Sequence, residues 1–187
     1  MPSLPSVTLA LSAATMLSAC VSMSPSDSKE LAGFNPLSAD PATTSFVADL
    51  PGFLQLRDGD VEVRLAAADG SFDERFALVI REPAGFAAGD EEAAAGRRLL
   101  AAAVRRADLA RFRFAQERAR KLRDRHVKGM LSVSITGGCR TAQPAAGPQV
   151  ANLLIQSGAD RLSLARIDLR ATARGALLKR LRACGEG

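Results

Sequence analysis

Three short segments of this chain carry apolar residues at every second position, and they constrain its fold more than any other feature. Residues 61–66 and 76–80 alternate in this way, and residues 131–136 repeat the pattern. A period of two predicts strands with one buried face. The pair Asp69-Gly70 lies between the first two segments and is a turn signal, so residues 61–80 are predicted to form a β-hairpin.

A helix is predicted from the acidic residues 90–92 to about Val127, because this stretch is rich in Ala, Leu, Arg, Glu and Lys, has no Pro and has one Gly. Leu109 and Phe112 are predicted to point away from the sheet. The alternative to one continuous helix is a break near Asp108, which would cap a second helical segment. The residues at helical spacing that predict the buried face are Leu100, Val104, Ala107, Ala110, Phe114, Ala115 and Leu122.

Two further apolar segments, residues 150–156 and 162–169, predict strands, and Thr172 is predicted to cap a short final helix that ends before Cys184. The element order is then ββαβββα. The predicted fold class is α+β, with an antiparallel sheet of about five strands and with a long helix and a short C-terminal helix on one face.

The N-terminal residues predict export and anchoring. Val7 to Leu17 is an apolar run too short to span a bilayer, which needs about 20 residues, but typical of a signal-peptide core. The following Leu17-Ser18-Ala19-Cys20 resembles the lipobox of bacterial lipoproteins, although residues 1–19 lack Lys and Arg. The resemblance covers residues 1–20 only. An ordinary secretory signal with an incidental cysteine is the alternative.

The lipoprotein resemblance implies cleavage before Cys20 and lipid attachment to that residue, so that the membrane is a partner through the lipid. In the best-studied lipoproteins, Asp at the position after the modified cysteine retains the protein in the inner membrane. This chain has Val21 at that position, which favours the periplasmic face of the outer membrane, with the inner membrane as the alternative. Residues 1–19 are therefore predicted to be a signal peptide and residues 20–43, rich in Ser, Pro, Ala and Asp, a flexible tether. Residues 44–187 are predicted to form one periplasmic domain.

Two cysteines remain for the domain, Cys139 and Cys184. An even pair in an oxidising compartment predicts one structural disulfide. A redox-active pair is the alternative, but the Cys-x-x-Cys spacing typical of such sites is missing.

Charge is segregated along the chain. Residues 40–92 hold twelve acidic and four basic side chains, whereas residues 97–128 hold twelve basic and three acidic ones. The basic run predicts binding of anionic lipid or an acidic envelope protein, and its location outside the cytoplasm argues against nucleic acid; a solvated face paired with the acidic half is the alternative. The predicted binding residues are Arg105, Arg106, Arg113, Arg120, Lys121, Arg123 and Arg125.

Catalytic chemistry is not indicated. The one His, His126, ends the basic run and is predicted to be a solvated helix-end residue, and Asp58-Gly59-Asp60 lacks the other ligands of a calcium loop and predicts a turn. No catalytic residue, metal or cofactor is assigned. The expected function is a non-enzymatic accessory or scaffold that binds another component of the cell envelope. The alternative is a carrier of lipid or small molecules with a cavity between sheet and helix.

Overall fold

The computed structural model describes residues 35–82, 96–144, 146–157, 160–169, 178 and 181–185. These residues contain ten strands, a 3-10 turn at Arg106–Asp108 and one α-helix, α1 (Leu109–Asp124). The strands are β1 (Thr44–Pro51), β2 (Leu54–Gln55), β3 (Val61–Ala67), β4 (Asp73–Arg81), β5 (Arg97–Val104), β6 (Gly129–Ile135), β7 (Cys139–Arg140), β8 (Val150–Ser157), β9 (Asp160–Asp168) and β10 (Arg182–Ala183).

Seven strands form one antiparallel sheet in the order β6-β3-β4-β5-β1-β8-β9. The sheet curls, since Val133 of β6 lines the same cavity as Leu153 of β8 although four strands separate β6 from β8 in the sheet. The short strands β10, β7 and β2 form a second sheet. This arrangement confirms the α+β class and the antiparallel sheet.

The core lies on the concave face of the large sheet, where α1 packs. Phe112 of α1 contacts Phe76 of β4 edge to face, with ring centroids 4.8 Å apart. Phe46, Leu50 and Leu78 belong to the same buried cluster. Truncating a buried aromatic residue such as Phe112 typically costs about 3–5 kcal/mol, so this contact fixes the helix on the sheet.

The strands predicted from alternation are confirmed. β3 and β4 form the predicted hairpin, with Val63 opposite Phe76. β6 follows the predicted alternation and pairs with β3, and β8 and β9 pair as predicted strands. The turn at Asp58-Gly59-Asp60 is also confirmed: the Asp58 carboxylate accepts the Ile80 N–H at 2.7 Å.

The long helix predicted from residue 90 to about 127 is wrong over its described first part. Residues 97–104 form β5, which pairs with β4 on one side and β1 on the other. Ala101 and Ala102 are both buried although they point to opposite faces, so this central strand shows an apolar run instead of alternation. Pairing on two sides outweighs the helix propensity of Leu and Ala, and α1 begins after Asp108, where a break was the alternative.

The predicted buried face of the helix is wrong in part for the same reason, although Ala115 is buried and Leu122 packs against the core as predicted. Phe112 is 5% exposed, whereas Phe114 is 66% exposed, and Ala107 and Ala110 are exposed. The predicted helical spacing was counted from Leu100 and Val104, but these residues lie on a strand. A helix that starts at Leu109 instead buries Phe112, Ala115 and Gln116 and packs Leu109, Ala119 and Leu122, which are partly buried, against the core. Leu109 and Phe112 therefore face the core, and the prediction that they point away from the sheet is wrong.

Two other parts of the predicted architecture do not match. The count of about five strands is wrong, because the described residues also include β1, β5 and the three strands of the small sheet. The short C-terminal helix is not among the described elements; most of residues 172–183 to which it was assigned lie outside the described residues, and the last described element is the strand β10.

Candidate functional site

The seven predicted cations lie on α1 and at its two ends. Arg105 and Arg106 precede the helix, and Arg125 follows it directly. The other four, Arg113, Arg120, Lys121 and Arg123, lie on the helix itself. Two flanks of α1 contact other parts of the domain, and the remaining side of the helix forms an outward surface.

One flank of α1 holds an N-terminal strap, which we define as residues 35–43. The side chain of Gln116, 5% exposed, donates its amide N–H groups to the carbonyl oxygens of Pro36 and Ala39 at 2.8 and 2.9 Å. One buried amide thus satisfies two backbone acceptors of the strap. The strap therefore packs on the helix, although the sequence assigns it to the predicted tether.

Two arginines add to this contact. Arg113 donates to the Asp40 carboxylate at 2.9 Å, and Arg120 donates to the Leu37 carbonyl at 3.2 Å. The Ala42 backbone N–H and then Arg113 lower the pKa of Asp40 below its ordinary value. Because Leu37 lies by Arg120 and Asp40 by Arg113, the strap runs antiparallel to α1, with its N-terminal end near the C-terminal half of the helix.

The other flank covers the β3–β4 hairpin. The Arg111 guanidinium lies 4.2 Å from the centre of the Phe76 ring, and that of Arg118 lies 5.2 Å from the centre of the Phe72 ring. Both guanidinium groups also donate to hairpin carbonyls, at 2.6 and 3.0 Å. These two arginines therefore cover aromatic rings at the edge of the core.

The outward surface of α1, which we define as Phe114, Glu117, Lys121 and Arg125, carries an exposed aromatic ring. Phe114 is 66% exposed, and the other three residues follow at helical spacings of three, seven and eleven. Lys121 pairs with Glu117 at 2.8 Å, and this contact lowers the pKa of the Glu117 carboxyl. This surface was not predicted from the sequence, because the helical spacing placed Phe114 in the core.

The acidic hairpin pairs largely with its own arginines. Arg64 makes two bonds to the Asp73 carboxylate, at 2.7 and 2.8 Å, and these lower the pKa of Asp73. Arg75 lies 3.7 Å from Glu62. Among the ion pairs of the described residues, only Arg113–Asp40 joins α1 to residues 40–92. Asp108, Glu117 and Asp124 pair with three other cations of this segment, so the helix keeps a net positive charge although part of it is paired.

The two cysteines of the domain are brought together. Cys139 in β7 and Cys184 just after β10 are disulfide-bonded, with Cα atoms 5.0 Å apart. β7 and β10 are parallel neighbours, so the bond closes the small sheet. The bond therefore joins β7 to the turn that follows β10.

Two cavities lined by described residues are small. The larger, of about 60 Å³, lies between β6, β1 and β8, and the smaller, of about 20 Å³, lies under the strap by Gln116. Ligand pockets usually measure about 300–1,000 Å³. The larger cavity has room for a few waters at most.

A buried polar cluster lies on the central strands. Asp49, 5% exposed, accepts two side-chain bonds from Arg97 at 2.7 and 2.6 Å and one from the Asn152 amide at 2.8 Å. Both carboxylate oxygens are therefore engaged by fixed donors. This cluster has the features of a structural pair that links β1, β5 and β8.

β6 is an edge strand of the large sheet and pairs with β3. The Thr136 N–H bonds to the Asp60 carbonyl on the β3 side at 2.8 Å. Since strand residues alternate in the direction of their backbone groups, Leu131, Val133 and Ile135 direct theirs away from β3. A partner strand can pair with such an edge.

Other sequence predictions have a mixed outcome. His126 directly follows the helix cap, is exposed and has a left-handed backbone with φ of 61°, as expected of a helix-end residue. Cys20 lies outside the described residues. Within the described ranges there is no cluster of three or more metal-ligating side chains, and no helix is long and apolar enough to cross a membrane. Comparisons with family models, curated proteins and solved structures give no match to this chain.

Proposed function

We propose that this chain is a periplasmic lipoprotein, anchored through lipid on Cys20, whose domain acts as a non-enzymatic scaffold for another component of the cell envelope. The periplasmic face of the outer membrane is the proposed location, with the inner membrane as the alternative.

The cysteine arrangement carries the proposal. Cys139 and Cys184 bond to each other, which suits an oxidising compartment. This pairing leaves Cys20, at the end of the apolar run, as the one cysteine of the three without a disulfide role. Two or three acyl chains on one residue anchor a protein durably, whereas one chain binds only marginally.

The interior of the domain supports a scaffold more than a carrier. Two cavities of the described residues, of about 60 and 20 Å³, are far smaller than a lipid or metabolite site. The Asp49 carboxylate is fully engaged by Arg97 and Asn152. Binding is therefore proposed at the surface of the domain.

The proposed docking element for a protein partner is the edge of β6 that faces away from β3, which pairs with no other strand of the described residues. Three residues there, Leu131, Val133 and Ile135, direct backbone donors and acceptors away from β3, and the strand itself contains no Pro or charged residue, the features that usually protect an edge. An extended segment of an envelope protein would add to this edge through main-chain bonds.

Site-specific photocrosslinking in intact cells tests this function. A photoreactive residue replaces Ser134, which is exposed on β6, and a matched control replaces Ala142, which is exposed on a loop beyond β7. We expect one discrete crosslinked envelope protein from position 134 and none from position 142, with the crosslink lost when Cys20→Ser releases the protein from the membrane. Identical products from both positions, or none from position 134, contradict the proposed edge.

A further inference from the structure

We propose that the outward surface of α1 lies against the anionic headgroups of the membrane that holds the protein, with the Phe114 ring inserted among them. The inference rests on the proposed anchoring at Cys20 and adds an orientation: the helix faces the leaflet, and β6 is left to meet a protein partner.

The exposure of Phe114 supports this orientation first. Its ring is 66% exposed although the helix has buried positions on both sides of it in sequence, including Ala115 and Phe112. Lys121 and Arg125 follow on the same surface, and Arg118 flanks it. An aromatic ring among long cationic side chains is the pattern of helices that lie in a membrane interface.

Charge complementarity is the second observation. α1 and the residue after it carry seven cations against Glu117 and Asp124. The Arg118 guanidinium bonds to a backbone carbonyl, which leaves its charge uncompensated, whereas Arg111 also lies 3.9 Å from the Asp108 carboxylate. Acidic residues of the hairpin pair with Arg64 and Arg75 instead. An anionic surface therefore complements the helix.

The path of the strap is the third observation. The strap runs antiparallel to α1, so the chain towards Cys20 leaves the domain beside the C-terminal half of the helix, where Arg120, Lys121, Arg123 and Arg125 lie. Fourteen residues, 21–34, separate Cys20 from the strap. A segment of that length reaches about 50 Å at most when fully extended. An acylated Cys20 thus keeps this end of the helix within about 50 Å of the leaflet.

Because the anchor keeps the helix near the leaflet, a weak contact between the helix and the headgroups is enough to orient the domain. Each Lys or Arg near an anionic surface strengthens binding about fivefold. The lipid anchor converts the helix contact into an intramolecular event, as a short linker does for a second binding module. The helix is then needed to orient the domain rather than to capture the membrane.

The absence of Trp and Tyr from the chain provides a direct test. Phe114→Trp introduces a single reporter on the outward surface, and Met130→Trp is the matched control, since Met130 is 45% exposed but lies on β6. Each protein is isolated from the cell envelope and reconstituted at equal density on vesicles of phosphatidylcholine alone or with phosphatidylglycerol. Flotation measures anchoring, and Trp emission measures insertion.

We expect both proteins to float with both vesicles. Emission from position 114 should shift to the blue and be quenched by brominated lipid on the vesicles with phosphatidylglycerol, with little change at position 130. Lys121→Glu or Arg125→Glu should reverse the shift, whereas Arg166→Glu on β9, which changes net charge equally, should not.

The two proposals fail separately. Flotation with unchanged emission at position 114 overturns the membrane-facing helix and leaves the anchor intact. Equal effects of Arg125→Glu and Arg166→Glu also overturn it, because they indicate a response to net charge alone. Failure to float with phosphatidylcholine vesicles overturns anchoring through Cys20.

Discussion

The contact between the strap and α1 depends on Gln116, and replacing this residue should release the strap. Gln116→Met keeps an unbranched side chain of similar volume but removes the two N–H donors to Pro36 and Ala39, at 2.8 and 2.9 Å. Each buried hydrogen bond contributes about 1 kcal/mol net, and an acceptor left unsatisfied costs about 1–3 kcal/mol. Release of the strap lets water satisfy both carbonyls, so we expect a loss of about 2 kcal/mol.

Urea denaturation and hydrogen exchange measure this effect. The free energy of unfolding should fall by about 2 kcal/mol, which is roughly a 30-fold change in the unfolding equilibrium. Amide exchange should accelerate in a peptide covering residues 35–43, while β3 and β4 keep their protection. Glu117→Gln, one residue along on the exposed side of the helix, serves as the control and should change stability by less than about 0.5 kcal/mol. An unfolding free energy and strap exchange in Gln116→Met equal to those of the control would refute this account of the strap.

Three further measurements test the structure. Replacing Cys139 and Cys184 by Ala should cost up to about 4 kcal/mol, because the bond closes a 45-residue separation; a melting temperature equal to that of the oxidised protein would contradict this. Asp49→Ala should cost about 3 kcal/mol by leaving the partly buried Arg97 without its carboxylate, and an unchanged urea midpoint would show that water replaces it. Arg64 lowers the pKa of the Asp73 carboxyl, so the contribution of this pair to stability is present above the unfolded pKa and is lost as pH falls through the folded pKa. The free energy of unfolding should therefore drop below about pH 4, and it should drop less in Asp73→Asn. A rise in the free energy of unfolding on acidification would contradict this sign.

The alternating strands β3, β4 and β6 were predictable from the sequence, and the apolar run of β8 also predicted a strand, whereas β5 and β1 were not predicted. β3, β4 and β6 alternate because their polar residues face outward, as Arg64 and Asp73 do. β5 has no such signal, since Ala101 and Ala102 are both buried, and its alanines suggested a helix. β1 mixes Phe46 and Val47 with polar residues and Pro51, and it becomes a strand because β5 and β8 pair with it.

The candidate surface was predictable in location but not in detail. Charge segregation indicated the segment that became α1, and the cysteine count indicated the Cys139–Cys184 pair. The exposed Phe114 and the buried Gln116 were missed, because both depend on where the helix begins. The bonds of the strap to Gln116 join residues about 80 positions apart, and no local pattern reports such a contact.

Acylation of Cys20 is the central claim, and intact-mass and peptide mass spectrometry of the protein isolated from its cell envelope test it most directly. The account predicts a polypeptide that begins at residue 20 and carries diacylglycerol on the thiol and an acyl group on the amine. A chain that retains residues 1–19, or one whose Cys20 thiol is free, would contradict it.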